Sequence, residues 1–244
     1  MDNTVLILGA NSDIGRALAH AWAEKKANIL LAARNATRLE ADVSDIGIRH
    51  GVRVSAVEFD ALDFDSHEAF YAGLDPQPDT VVCVFGLLTD QAEAEKDWSK
   101  ARQMLDVNFT GAASILHIAA NEMESRGKGT LIGISSVAGD RGRASNYYYG
   151  SAKAGFTAYL SGLRNRLASK GVHVMTVKPG FVRTSMTEGM PLPAPITADP
   201  GKVAADIVRA AGKKKNVLYT LWMWKWIMLI IRNIPERIFK GLKL

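Results

Sequence analysis

The residues with chemistry to offer gather between Ser135 and Lys153, in the run SSVAGDRGRASNYYYGSAK. It holds three consecutive tyrosines, Tyr147, Tyr148 and Tyr149, any of which could in principle move a proton. Only Tyr149 has a lysine four residues on, Lys153; the same step from Tyr147 reaches Ser151 and from Tyr148 reaches Ala152. Residues four apart share a helix face, so phenol and ammonium would point the same way. A free phenol titrates near pH ~10 and is a poor acid or base at neutrality, and a cation beside it lowers that value. Lys153 is therefore expected to lower the pKa of Tyr149. Ser136 could polarise a carbonyl that Tyr149 protonates. An aromatic helix start with a solvated lysine is the plainer alternative, so the pair gains meaning only from its company.

The elements that must position these residues are legible as alternating patterns. Apolar runs at Val5–Leu8, Asn28–Ala33, Val52–Phe59, Thr80–Phe85, Thr130–Ser135 and Val172–Lys178 read as strands. Helical patterns fill the intervals: Ile14 to about Lys25, Ala36–His50, Ser66–Leu74, Gln91 to about Arg126 in more than one piece, and Asn146–Lys170. Solid apolar strands between helices indicate a parallel sheet buried on both faces. Met186–Pro200 holds four of the eight prolines and reads as loop, followed by a helix at Pro200–Ala211 and a seventh strand at Val217–Thr220. The fold class is α/β: one Rossmann-type doubly wound domain over residues 1–220 with about seven strands, and a hydrophobic, basic helical extension over 221–244. Ligands in such a sheet sit at the carboxyl ends of the strands.

Composition narrows the class. At 244 residues the chain can bury one substantial core. Cys83 is the only cysteine, which excludes an intrachain disulfide and suits a reducing compartment. The start, MDNTVLILGA, lacks the features of a signal peptide, so cytoplasm is the expected location. The net charge of +5 is uneven: from Gly201 onward ten Lys/Arg, including Lys243, face only Asp206 and Glu236. The remaining 20 basic and 23 acidic residues leave the first 200 positions net negative. That distribution argues against a nucleic-acid partner and for something local at the C-terminus.

Gly9-Ala10-Asn11-Ser12-Asp13-Ile14-Gly15 falls between the first strand and first helix. Glycines there let backbone approach a pyrophosphate, which the helix N-terminus favours. A carboxylate at Asp13 would repel phosphate, so Asp13 is read as the N-cap of the helix. Arg34 follows the second strand, where an acid would bind the ribose of NAD; an arginine there suits a 2′-phosphate, with a solvated loop arginine as the alternative. Asp60 could meet adenine or cap a turn.

With Asn108, Ser136, Tyr149 and Lys153, this turn resembles the short-chain dehydrogenase/reductase family, in which the catalytic serine lies thirteen residues before the tyrosine; that spacing selects Ser136. Lys178-Pro179-Gly180 with Thr184 is similar to the family's nicotinamide segment. The resemblance implies hydride transfer between NAD(P)H and a carbonyl, no metal, and an assembly of identical subunits. It implies a cofactor held by Gly9, Asn11, Ser12, Asp13, Ile14, Gly15, Arg34, Asp60, Ala61, Gly86, Tyr149, Lys153, Pro179, Gly180, Val182 and Thr184, with NADPH favoured through Arg34. Asn108 would hold a water that relays protons to Lys153. The chain departs from the family where Leu8 and Asp13 replace a threonine and a glycine, and where Cys83-Val84-Phe85-Gly86 replaces Asn-Asn-Ala-Gly. The second change leaves open how the sheet centre is braced. These departures, with Phe85-Gly86-Leu87-Leu88 and Ile234-Pro235 near the end, resemble the branch of bacterial reductases that act on decaprenylphosphoryl 2-keto-pentose. That likeness implies a lipid-linked keto-sugar and a flavin oxidase as partner enzyme. A generic soluble reductase of an acyl thioester or small carbonyl is the alternative; a nucleotide-binding adaptor without catalysis is disfavoured by the complete set of four.

Arg141 and Arg143 lie on the loop between Ser136 and Tyr149 and could hold a substrate phosphate with paired donors, or stay solvated. The tail from Val217 to Ile231 is apolar but for Thr220 and Lys225, and too short to span a bilayer. Trp222, Trp224 and Trp226, with basic residues at both ends, describe an in-plane anchor on the inner face of a membrane. Packing in an oligomer interface, or covering a greasy substrate channel, are the alternatives.

Overall fold

The computed structural model describes residues 3–242. Lys243, counted in the basic tail, lies outside the described residues. In chain order the elements are β1 Thr4–Leu8, α1 Asp13–Ala23, β2 Asn28–Ala33, α2 Glu40–His50, β3 Val54–Glu58, α3 His67–Ala72 and β4 Thr80–Cys83. Next come α4 Gln91–Lys96, α5 Trp98–Leu105, α6 Ala112–Arg126, β5 Gly129–Ile134, α7 Tyr147–Leu167 and β6 Val172–Pro179. The last are β7 Phe181–Val182, β8 Thr197–Ala198, α8 Pro200–Gly212, β9 Val217–Thr220, α9 Met223–Asn233 and α10 Glu236–Phe239.

Seven strands form one parallel sheet in the order β3-β2-β1-β4-β5-β6-β9. The apolar runs are solid because both faces are covered: Val5 and Ile7 pack beneath α1 and α8, while Leu6 and Leu8 pack beneath α6 and α7. Each such fully buried aliphatic side chain contributes about 1.5–3 kcal/mol. The strand order reverses between β1 and β4, which opens a crevice at the carboxyl ends of the strands.

Local chemistry adjusts several expected boundaries. The helix expected from Ala36 begins at Glu40, after a 3-10 turn over Ala36–Leu39. Asn35 adopts a left-handed φ of 58°, and the Glu58 carboxylate accepts from the Asn35 and Ala36 amides, at 2.8 Å each. Between α5 and α6 the chain widens into a π-helical turn, Asp106–Gly111, which carries Asn108. The proline-rich loop is pinned by the pairing of β7 with β8.

The tail splits in two. Val217–Thr220 is the edge strand beside β6, and Leu221 turns the chain with φ 57° into α9. Trp224 and Met228, one turn apart, face inward against Val137, whereas Trp222, Trp226, Leu229 and Ile230 are at least half exposed. The three tail tryptophans therefore do not act together, because Trp224 belongs to the protein interior. Among the described residues, no helix is long and apolar enough to cross a membrane.

Candidate active site

The end of β5 and the start of α7 bring the chemical residues together. Ser136, two residues past the end of β5, caps the short turn Val137–Asp140 by accepting from the Ala138 amide at 3.1 Å. The turn and helix approach closely: a Cβ on Gly139 would lie 2.7 Å from the backbone of Lys153 and Ala154. Ser135 is spent structurally, donating to the Lys153 carbonyl at 2.9 Å and meeting Thr157 Oγ1 at 2.7 Å. Both serines line the cavity, but Ser136 is the one of the pair hydrogen-bonded to Tyr149, as its spacing suggests.

The three tyrosines separate by direction. The Tyr147 and Tyr148 rings pack on one another at 4.5 Å, and Tyr148 sits edge-on to Trp98. Tyr149 lines a cavity of ≈ 440 Å³ with Ser136 and Lys153. A larger hollow of ≈ 660 Å³, at the amino ends of the strands, contains none of these residues.

Lys153 is 4% exposed, and its Nζ donates to the Ile134 carbonyl at 3.1 Å. Burial brings its pKa down to about 8. The Tyr149 phenol is pushed up to about 12 by burial, with a hydrogen bond from Ser136 pulling the other way. The expectation that Lys153 lowers this phenol's pKa is therefore corrected: the ammonium lies 5.7 Å from the ring centre and gives its hydrogen bond to Ile134, so desolvation wins.

Asn108 is 1% exposed, and its carboxamide is fully engaged. It donates to the carbonyls of Leu87 (2.7 Å) and Met104 (2.8 Å) and accepts from the Leu87 amide (3.2 Å). The side chain thus braces the segment after β4. Gly86 is caught between, since a Cβ there would lie 2.8 Å from Asn108 Oδ1 and 3.5 Å from Lys153 Nζ.

The glycine-rich turn fits a dinucleotide. Gly9 adopts φ 97°, and a Cβ on it would lie 2.6 Å from the Phe85 nitrogen; one on Gly15 would lie 2.6 Å from the Gly9 carbonyl. The N-cap of α1 is Ser12, accepting from the Gly15 amide at 3.1 Å, and not Asp13 as expected. Asp13 instead accepts from the Ser185 amide and hydroxyl at 2.8 and 2.9 Å, which holds its carboxyl below the usual range. It latches the segment after β7 across the crevice. Asn11 donates to the Arg34 carbonyl, while its Oδ1 is buried without a partner among the described residues and would suit a ligand donor. The Arg34 side chain is exposed. Asp60 accepts from the Leu62 amide and so caps a turn, and the Ala61 carbonyl packs against Gly111. Ile14, Gly86, Pro179, Gly180, Val182 and Thr184 line the same cavity as Tyr149.

The two loop arginines part company. Arg141 Nη1 donates to the carbonyls of Ile231 (2.7 Å) and Ile234 (2.6 Å), Nη2 to Glu236 (2.8 Å), and the guanidinium covers the Phe239 ring. It caps α9, so the phosphate-holding role expected of it is withdrawn. Arg143 lines the cavity. The site also recruits residues that the sequence did not place in the catalytic set. Trp224 forms a cavity wall, packed against Gly180 with its indole N–H on the Ile196 carbonyl at 3.0 Å. Beneath the site, buried Lys178 pairs with Asp140, which also accepts from the Tyr219 hydroxyl at 2.8 Å. Their partners are fixed by contacts across the fold, and no local pattern marks them.

Comparison with known proteins extends this geometry. An uncharacterized oxidoreductase of Mycobacterium tuberculosis is 38% identical over 247 residues, covering 98% of both chains. Serine 3-dehydrogenase of Rhizobium radiobacter is 33% identical over 195 residues, covering 77% of this chain and 75% of that protein. Among solved structures, the short-chain dehydrogenase of Sphingobium yanoikuyae in complex with NADPH is similar with a TM-score of 0.84 and 22% identity, covering 96% of this chain and 97% of that one. That likeness speaks to the fold alone. The family model described as short chain dehydrogenase matches residues 3–192, from the first strand past the nicotinamide-type segment, and the chain belongs to the short-chain dehydrogenase/reductase family of oxidoreductases.

Proposed function

We propose that the protein is an NADPH-dependent ketone reductase acting on a polyprenyl-phosphate-linked keto-sugar, with Tyr149 as the acid. The observation that carries the reading is a shared wall. Trp224, in the cavity with Ser136, Tyr149 and Lys153, belongs to α9, whose opposite face exposes Trp226, Leu229 and Ile230. A substrate with a polar reacting end and a greasy tail could meet both surfaces.

A bound nicotinamide supplies the hydride that adds to the ketone carbon. The turn from Gly9 to Gly15 and the N-terminus of α1 would hold the pyrophosphate. Ser136 donates a hydrogen bond to the ketone oxygen and fixes its direction. Tyr149 gives that oxygen its proton: with a pKa pushed up to about 12, the phenol is protonated at neutral pH and suits reduction. Lys153, brought down to about 8, sits near enough to neutrality to return a proton to the site. NADPH is favoured because Arg34 is exposed at the end of β2, while the nearby Glu58 carboxylate is engaged by two backbone amides.

A flavin oxidase producing the keto-sugar is the partner this reading calls for. Exposed Trp98 beside Tyr148 offers an apolar patch to a second copy of the chain. The site of action would be the cytoplasmic face of a membrane.

The test is NADPH oxidation with a prenyl-phosphate-linked 2-keto-pentose and, separately, a small neutral ketone or acyl thioester. The expected result is faster turnover of the lipid-linked compound, NADPH preferred to NADH, and a loss of roughly 100-fold or more in Tyr149→Phe, the scale of general acid catalysis. Tyr147→Phe should retain activity. Equal turnover of the small carbonyls would favour the generic reductase, and equal activity in both tyrosine variants would remove Tyr149 from the mechanism.

A further inference from the structure

We propose that Arg143 is an anion-recognising residue of the substrate cavity, so that the substrate carries a phosphate or carboxylate group in addition to its reacting ketone. The inference rests on the catalytic reading above only in taking this cavity as the substrate's. Arg143 lines it together with Ser136, Tyr149 and Lys153. Its Nε is buried and has no hydrogen-bond partner among the described residues. No carboxylate there pairs with it, and burial draws the guanidinium pKa down with nothing opposing it. The acid on the cavity wall, Asp90, accepts from the Glu93 amide and caps α4.

Other partly buried arginines show what is missing. Arg164 donates to the Val174 carbonyl and Thr176 hydroxyl, and Arg141, two residues away, is fully engaged by α9. A buried guanidinium N–H left without an acceptor is unfavourable, and an anion bound in the cavity offsets that penalty. The planar fork of arginine matches two oxygens of a phosphate or carboxylate. Three residues on, Asn146 faces the same cavity with a buried Oδ1 that also has no partner. An unfilled donor and an unfilled acceptor on one loop suit an anionic group with a hydroxyl beside it, the pattern of a phosphorylated or acidic sugar.

The experiment measures binding without turnover, by calorimetry on the full chain, using geranyl phosphate, geranate and geraniol as probes. Wild type should bind the two anions more tightly than the alcohol. Arg143→Gln should lose about 10- to 100-fold of affinity for an anion, the range of a charged hydrogen bond, and none for geraniol. Arg143→Lys keeps the charge without the fork and should fall between. Loss confined to geranyl phosphate identifies a phosphate ligand, and equal loss for geranate admits a carboxylate; both sustain the proposal. Unchanged anion binding in Arg143→Gln or Arg143→Lys, or equal wild-type affinity for all three probes, overturns it. Reduction of a neutral ketone by the wild-type chain reports on the catalytic reading separately, so failure of one is distinguishable from failure of the other.

Discussion

Tyr149 and Lys153 share one cavity, and burial moves their pKa values apart from nearly equal ordinary values of 10.0 and 10.5, the phenol up to about 12 and the ammonium down to about 8. The lysine makes this testable through stability. Below pH 8 it is protonated both in the folded chain and unfolded, where it titrates near 10.5, so the folded state carries the whole desolvation penalty. Between those values the folded lysine has lost its proton and the unfolded one has not. The unfolded state then binds more protons, and stability rises with pH, by up to about 1.4 kcal/mol per unit. Lys153→Met has no such proton. Its denaturation midpoint relative to wild type should be constant below pH 8 and should shift in favour of wild type towards pH 10.5. A constant difference across the range would mean that the ammonium is not desolvated.

The elements around the site are locked by interactions that reach across the chain. Lys178 at the end of β6, Asp140 at the end of the Ser136 turn and Tyr219 in β9 form one buried polar cluster. Asp140 ends the turn that Ser136 begins and precedes Arg141, so the cluster ties that turn to β6 and β9 at the root of the α9 cap. Removing one charge of a buried pair leaves the other uncompensated, at a cost of about 3–5 kcal/mol. Asp140→Leu should destabilise by that order in urea denaturation. The double variant Asp140→Leu with Lys178→Met should recover part of the loss, because no lone charge remains. A double variant as unstable as the sum of the two singles would show that the residues act independently.

Across the whole molecule, charge and apolar surface are sorted to one end. The chain up to residue 200 is net negative, while α9 and α10 expose Lys225, Arg232, Arg237 and Lys240 beside Trp222, Trp226, Leu229, Ile230 and Ile238. Such a surface matches an anionic lipid face, each basic residue near it contributing about 1 kcal/mol. The full chain should therefore float with phosphatidylserine-containing vesicles at low salt and release as salt rises. Replacing Trp226 and Ile230 by serine leaves the inward face of α9, Trp224 and Met228, in place; it should weaken flotation without loss of thermal stability. Flotation that survives these substitutions, or a wild-type chain that stays with neutral and anionic vesicles alike in the unbound fraction, would assign this surface to another partner.

The sheet was legible in the sequence because strand and helix periods are local: apolar runs such as Thr80–Cys83 can only be buried on both faces, and Tyr149 meets Lys153 through the pitch of a single helix. The spacing from Ser136 to Tyr149 belongs to the same class, one strand end and one helix start joined by a short loop. What tertiary structure alone decided was where the polar groups find partners. Asp13 was read as a helix cap and is bonded to Ser185, 172 positions away; Arg141 was read as either a phosphate ligand or a solvated loop residue and caps a helix 90 residues on. Asn108 was singled out in the sequence, but its bonds to Leu87, 21 positions away, were not legible there. Arg143, outwardly the twin of Arg141, lines the cavity with its Nε unpaired among the described residues. Period and spacing follow from backbone geometry within an element, whereas the partner of a charge, and hence its desolvation, depends on which distant segments the packed core brings beside it.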